Sequence, residues 1–229
     1  MVSAQEIEER TRFIKTKLAR IAGEHFNCGP TTFVTDDPAT KAAIYKESSK
    51  YPIYTTLFHH GQEMLDLNYY ILQMMKPGSK VIDVGCSSGL TGLLYAHFGF
   101  DVILHDFEGV SLDIVRKYME TTAPRGKVEI ITYGSQLPDD IDWVLSFDTM
   151  EHTGNHLGFL RWIEAMASRR AITYPKTIKY EPPFVPSGID EWIDDERVLQ
   201  LLETNSNILY NEHRNGRRLL IFESLAPVC

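Results

Sequence analysis

The residues of this chain best placed to do chemistry are acids at the ends of short apolar runs. Val81-Ile82-Asp83-Val84 is followed by Gly85-Cys86-Ser87-Ser88-Gly89, and Leu90-Thr91-Gly92 then opens an apolar helix. A strand, a loop of small residues and a helix make a crevice at the carboxyl end of the strand, where a ligand can approach backbone that carries little or no side chain. The details of the loop narrow the ligand. The dinucleotide fingerprint wants glycine at its third position, where this chain has Ser87, and the lysine-bearing phosphate loop wants Gly-Lys-Ser/Thr, whereas this loop has no basic residue. Nicotinamide, flavin and ATP are therefore disfavoured. What remains is a ligand that suits a carboxylate, Asp83, just ahead of the first glycine, such as a sulfonium or ammonium cation.

Further acids follow at matching intervals. Asp101-Val102-Ile103-Leu104-His105-Asp106 reads as a second strand, and its terminal Asp106 lies 17 residues past Gly89, where a carboxylate can accept both hydroxyls of a ribose. A third strand, 128–132, leads into Tyr133-Gly134-Ser135-Gln136-Leu137-Pro138. A fourth, 141–148, delivers Asp148-Thr149-Met150-Glu151-His152. In this order the four segments resemble the class I S-adenosylmethionine-dependent methyltransferases, whose first motif, acid-x-Gly-x-Gly/Ser-x-Gly, is matched by residues 83–89. The resemblance implies S-adenosylmethionine as cofactor and S-adenosylhomocysteine as product. It also implies a cofactor site built from Asp83, Gly85, Cys86, Ser87, Gly89, Asp106, Phe107, Ser135, Gln136 and Asp148.

The segment 148–152 carries two readings on its own residues. A helix starting here puts Asp148, Glu151 and His152 on one face, offering two carboxylates and an imidazole to a substrate or a cation. The same spacing is also a capping box, with Asp148 as cap and Glu151 three residues on. In the family, small-molecule enzymes of the ubiquinone-biosynthesis O-methyltransferase kind carry Glu-x-x-Glu-His here, which can hold a divalent ion, and RNA 3′-terminal 2′-O-methyltransferases resemble it too. This chain departs by placing the shorter Asp148 first, so a divalent cation is the lesser reading and no metal ligand is assigned. The catalytic candidates are His152 as general base, Glu151, and the pair His59 and His60 from the aromatic stretch 51–60, which reads as a lid. His156 stands one turn beyond His152. Tyr54, Phe58, Tyr174 and Phe184 read as packing.

The elements that must position these residues divide near Pro77-Gly78, a turn pair just before the first strand. Upstream lies a helical extension, 1–76. Ser3 and Glu6 form a capping box, Ile7, Ile14, Leu18 and Ile21 share one helical face, and Gly23 is expected to stop the helix. Asp37-Pro38 opens a second helix to about Ser48, and a third runs 61–75. Downstream, 77–229 reads as the cofactor-binding core. Ser111 is expected to cap a helix ending near Thr121, 155–168 is helical, and 171–174 is a fifth strand. Four prolines make 175–187 an ordered loop, and 189–203 is again helical. Segments 208–211 and 219–222 flank Asn215-Gly216, a hairpin signal. The fold class expected is α/β. The resemblance gives the strand order that periodicity does not: a Rossmann-like doubly wound seven-stranded sheet, mostly parallel, with the last strand inserted antiparallel.

Composition supports one domain-sized enzyme core. The chain has 229 residues, is 43% hydrophobic and has a net charge of −8. That acidity disfavours a nucleic-acid backbone as partner. Two basic clusters, Arg169-Arg170 with Lys176 and Lys179, and His213-Arg214 with Arg217-Arg218, read as solvated surface. Cys28, Cys86 and Cys229 lack disulfide or zinc spacing, which points to a reducing, cytoplasmic setting. No basic leader and no run of about 18 apolar residues is seen, so no membrane partner is expected. The expected partner is a small-molecule acceptor methylated at O or N. An RNA- or protein-modifying enzyme and a non-catalytic S-adenosylmethionine or S-adenosylhomocysteine binder are the alternatives. Oligomeric state is not readable.

Overall fold

The computed structural model describes residues 2–26, 62–153, 155–175 and 193–225. His59, His60, the stretch 51–60, the expected helix from Asp37 and the loop 176–192 lie outside the described residues, as do Cys28 and Cys229.

In chain order the elements are α1 (Ala4–Phe26), α2 (Gln62–Met74), β1 (Lys80–Val84), α3 (Leu90–His97), β2 (Asp101–Asp106), α4 (Val110–Thr121), β3 (Val128–Thr132), β4 (Trp143–Phe147), a 3-10 turn Met150–His152, α5 (His156–Met166), β5 (Arg169–Pro175), α6 (Asp195–Asn205), β6 (Ser206–Arg214) and β7 (Arg217–Ser224). The strands form one sheet in the order β3-β2-β1-β4-β5-β7-β6. β1 to β5 pair in parallel, and β7 runs antiparallel to both β5 and β6. The seven-stranded mixed sheet that the family resemblance implies is the one observed.

Alternation along the strands sorts the core into two layers, because successive side chains leave opposite faces of a sheet. Val81, Val102, Leu104, Trp143, Leu145 and Ile221 face one layer, which is filled by α1 to α4. Ile82, Ile103, Val144, Ile172, Leu220 and Phe222 face the other, against α5 and α6. Helix α1 belongs to the first layer. Its Ile7, Ile14, Leu18 and Ile21 are buried, and it packs on α3 and α4. Its capping box forms, with the Glu6 amide donating to Ser3 Oγ at 3.1 Å and the Ser3 amide to Glu6 Oε2 at 3.2 Å. Gly23 does not end it. The helix runs to Phe26, since an interior glycine weakens a helix by only about 1 kcal/mol and this one keeps ordinary helical backbone.

Other boundaries also shift for local reasons. Helix α4 starts at Val110, so Ser111 lies inside it and caps nothing. Helix α6 starts at Asp195 because Asp194 accepts the Arg197 amide at 3.1 Å. Asn155 caps α5 by accepting the Gly158 amide at 3.0 Å. The hairpin forms around Asn215 and Gly216, both with left-handed φ (51° and 76°), as a tight two-residue turn requires.

Candidate active site

Strand β1 lies between β2, which its chain reaches directly, and β4, which is reached only after a crossover from β3. The connections after β1 and β4 therefore diverge to opposite faces of the sheet and leave a crevice between them, the place where open α/β sheets bind ligands. Two turns meet there, 85–89 after β1 and 148–152 after β4.

The first turn is wound by three residues in the left-handed region: Gly85 (φ 70°), Ser87 (φ 48°) and Gly89 (φ 72°). Ser87 takes this conformation without being glycine, at the position where the dinucleotide fingerprint would have one. The glycines are expected to clear room for a ligand, and the structure shows which side chains also occupy the space they leave. A Cβ on Gly85 would lie 2.3 Å from Thr149 Cγ2 and Oγ1, so the vacancy is filled by the other turn. A Cβ on Gly89 would meet Val115 Cγ2 at 2.9 Å. Gly92, whose role the sequence reading missed, lets α3 lie on the sheet, since a Cβ there would be 2.3 Å from Leu104 Cδ2. Its place as a glycine in the first turn of an apolar helix was the available signal.

Asp83 turns inward. Its carboxylate is 3% exposed and does not face the crevice as an open partner for a cation. It accepts the Gly92 amide at 2.8 Å and so caps α3 from beneath. Burial pushes its pKa up to about 7, the Gly92 amide opposes the shift, and the charge of Asp106 adds to it. Cys86 is buried alongside, and its thiol is held well above its usual range by burial first and by the two aspartates next.

Asp106 ends β2 at the rim. Its Oδ2 accepts the Ser87 amide and its Oδ1 the Phe107 amide, both at 2.7 Å. Burial raises its pKa while these two amides and His105 lower it. Each carboxylate oxygen has a second lone pair, so the group holds the loop and retains acceptor capacity for a ligand. Next to it Phe107 and Tyr133 are 68% and 62% exposed, with ring centroids 4.7 Å apart. Exposed neighbouring rings at the edge of a crevice offer a flat stacking surface. Ser135 and Gln136 are exposed in the same turn, Ser135 within 3.4 Å of Thr132 through their hydroxyls. The β3–β4 connection carries no helix, and a cavity of about 530 Å³ opens beneath it between His105, Tyr133, Ser135, Leu137 and Trp162.

The second turn departs from both sequence readings. Asp148 has a left-handed φ of 49° and does not cap a helix with Glu151. Its carboxylate accepts from Arg217 Nε at 2.9 Å and from the Thr173 hydroxyl at 3.1 Å, while its amide donates to Thr173 O at 3.1 Å. Thr149 donates its hydroxyl to Val84 O at 3.3 Å and Phe147 O at 3.2 Å and covers Gly85. Glu151 is buried, and His152 Nε2 lies 3.9 Å from its Oε1 at the exposed end of the turn. With Asp148 turned to Arg217, the three side chains do not converge on one point. Among the described residues no group of three His, Cys, Asp or Glu is placed to hold a metal ion.

The described arginines of the basic clusters are paired rather than simply solvated, Arg170 and Arg218 being buried and Arg169 and Arg214 partly exposed, while His213 is exposed. Arg170 is fully buried and donates to Ile163 O, Glu164 O and Ser168 O, with burial lowering its pKa to about 10. Arg169 pairs with Glu223, Arg214 with Asp66, and Arg218 with Asp195. Spacing in sequence did not reveal this, because the partners are supplied by distant elements. Among the described residues no helix is long and apolar enough to cross a membrane.

No family model matches the chain. Over 87 residues, 36% of this chain, it is 29% identical to the mitochondrial ubiquinone biosynthesis O-methyltransferase of Schizosaccharomyces pombe, and the match spans about a third (32%) of that protein's length. Among solved structures it is similar to magnesium protoporphyrin IX methyltransferase (ChlM) from Synechocystis PCC 6803 with bound S-adenosylhomocysteine. There the TM-score is 0.61 at 17% identity over 91% of this chain and 93% of that one. It is also similar to the glycopeptide N-methyltransferase MtfA in complex with S-adenosylhomocysteine (TM-score 0.52, 10% identity, 69% and 86% of the two chains). A third is TehB from Haemophilus influenzae (TM-score 0.57, 13% identity, 75% and 66%). Strand order, the single antiparallel strand and these likenesses agree that the chain has the class I S-adenosylmethionine-dependent methyltransferase fold.

Proposed function

We propose that the protein transfers a methyl group from S-adenosylmethionine to an O or N atom of a small-molecule acceptor. One observation carries the reading: the left-handed loop 85–89 ends against Asp106, and the exposed rings of Phe107 and Tyr133 stand beside that carboxylate. This arrangement fits an adenosyl group, with the Asp106 lone pairs toward the ribose and the rings, Ser135 and Gln136 toward the base. It lacks the basic loop residue that a polyphosphate would want. The charge of Asp106 raises the pKa of the buried Asp83, so a positive charge close to the two carboxylates is favoured. On this reading residues 1–76 are a helical extension, of which α1 and α2 pack on the sheet, and 77–229 are the cofactor-binding core.

When bound, S-adenosylmethionine supplies an activated methyl on a sulfonium, so the protein's main task is to align an acceptor lone pair and exclude water. The Gly85 loop supplies a fixed backbone floor, because Thr149 packs into it from the other side of the crevice. His152, at the exposed end of the second turn, takes the proton from the acceptor hydroxyl or amine, and the Glu151 carboxylate beside it favours the protonated imidazole that results. A small acceptor is favoured over nucleic acid because the described arginines of both basic clusters are spent on internal partners and the chain is acidic overall. The relatives support the same class, since the proteins of like fold named above act on a porphyrin and a glycopeptide.

Calorimetric titration with S-adenosylhomocysteine tests the cofactor half. One site is expected, and absence of binding refutes the proposal. For the acceptor half, His152→Ala is expected to lower kcat by about a hundredfold with little change in cofactor affinity, in line with the usual contribution of a general base. Unchanged turnover across pH removes His152 from the chemistry.

A further inference from the structure

Two adjacent arginines at the start of β7 leave opposite faces of the sheet and meet different partners. Arg218 makes a two-point contact with Asp195 at the start of α6, Nε to Oδ1 at 3.0 Å and Nη2 to Oδ2 at 2.6 Å. The Tyr174 hydroxyl joins the same carboxylate at 2.9 Å, and Arg218 Nη1 donates to Asn211 Oδ1 at 2.8 Å. This cluster fastens a helix to the sheet on the face away from α1 to α4. Arg217 instead reaches the crevice. Its Nε donates to Asp148 Oδ2 at 2.9 Å and Oδ1 at 3.2 Å, and its Nη1 lies 3.7 Å from Oε1 of the buried Glu63 in α2. Asn215 Nδ2 donates to the other Glu63 oxygen at 3.1 Å.

Asp148 is the hinge of that arrangement. A left-handed φ at a non-glycine residue is unfavourable and persists only where its surroundings over-determine it. Here two donors hold the carboxylate, Arg217 and Thr173, and Thr173 also accepts the amide. The conformation turns the chain so that Thr149 enters the space above Gly85. We infer that Arg217 is a positioning residue, acting through Asp148 and Thr149 to hold the 85–89 loop in its binding geometry and so linking the C-terminal hairpin and α2 to the cofactor site. It rests on the proposed function only for the name of the ligand.

Arg217→Met leaves two facing carboxylates with no cation between them, and Arg217→Lys keeps the charge but cannot bridge both. Amide hydrogen exchange over residues 80–92, measured well below each variant's Tm, is the direct readout. Exchange in Arg217→Met is expected to speed up at least tenfold, with an intermediate rate in Arg217→Lys. S-adenosylhomocysteine affinity is expected to fall about tenfold, and Arg217→Met combined with Asp148→Asn to weaken it no further than one of them alone. Arg218→Met is the control for loss of an arginine pair as such: a Tm lower by roughly 10 °C, with loop exchange and affinity within twofold of wild type. Wild-type exchange in Arg217→Met, or independent effects in the double variant, overturns the inference. If Arg217→Met does not fold, Arg217→Lys decides by the same exchange criterion. If exchange behaves as expected and the wild type binds no S-adenosylhomocysteine, the positioning role stands and the cofactor reading falls.

Discussion

The turns that leave β1 and β4 touch at Gly85 and Thr149, but they are held in place by different means. The β1 turn takes its winding from its own residues and the next strand, through left-handed φ at residues 85, 87 and 89, the Asp83 cap on Gly92 and the Asp106 carboxylate on Ser87, and is braced from outside where Thr149 packs on Gly85. The β4 turn has no side-chain cap of its own. Its leading Asp148 is held by Arg217 and Thr173, 69 and 25 residues away in sequence. A turn that carries its own restraints can be recognised wherever it recurs, whereas one restrained from outside is free to vary in sequence with the elements that restrain it.

The largest expected effect is on the contact itself. Gly85→Ala places a methyl 2.3 Å from Thr149 in a left-handed backbone and is expected to lower stability by about 2–4 kcal/mol and to abolish cofactor binding. Adding Thr149→Ala removes the two 2.3 Å contacts but keeps the Thr149 Cβ at 2.9 Å, so it recovers much of the steric part and leaves the backbone part, as thermal melts and calorimetry would show. Full recovery would mean that the turns are joined by packing alone.

Protonation probes the β1 side. With its pKa raised to about 7, native Asp83 keeps a proton that the unfolded chain releases near pH 4. Its contribution is therefore fully present below about pH 4 and is lost as pH rises to about 7, a swing of at most a few kcal/mol at ~1.4 kcal/mol per unit. Asp83→Asn is expected to flatten unfolding free energy against pH over that window. A slope that persists in the variant assigns it to other groups. At the rim, Asp106→Asn is expected to weaken S-adenosylhomocysteine by about 10- to 100-fold, the usual worth of a charge-assisted hydrogen bond, in a titration at neutral pH. The smallest effect is at Ser87, whose φ of 48° suits glycine. Ser87→Gly should change stability by no more than about 1 kcal/mol, in the stabilising direction, and a clear loss would show that the serine side chain has a role the backbone does not reveal.

The β1 end was legible in the sequence because each determinant sits beside what it determines. The strand, the small residues, the apolar helix and the acid after the next apolar run all appear within 27 consecutive positions, 80–106. The hairpin at Asn215-Gly216 was legible for the same reason, its turn chemistry lying between its own strands. Where the reading failed, a local pattern had a remote partner. Asp148 and Glu151 have capping-box spacing, and Arg217 takes the aspartate; Arg169-Arg170 and Arg217-Arg218 look like exposed charge, and carbonyls and acids from other elements pair with them. Asp83 has the right type in the right place for a cationic ligand, yet its direction was set by the amide of Gly92.

The order of strands within the sheet and its cover of helices on both faces came from the family resemblance; the sequence by itself determined the succession of strands and helices along the chain and the small-residue loop after β1. These follow from alternation, helical periodicity and glycine placement, which act over a few neighbouring residues. Tertiary structure alone decided which space Gly85 leaves open, where Asp148 points and what the arginines hold. Each of these is settled by a side chain arriving from another element, and a buried charge or a missing Cβ is satisfied by whatever group the fold brings within 3 Å, whatever its distance along the chain.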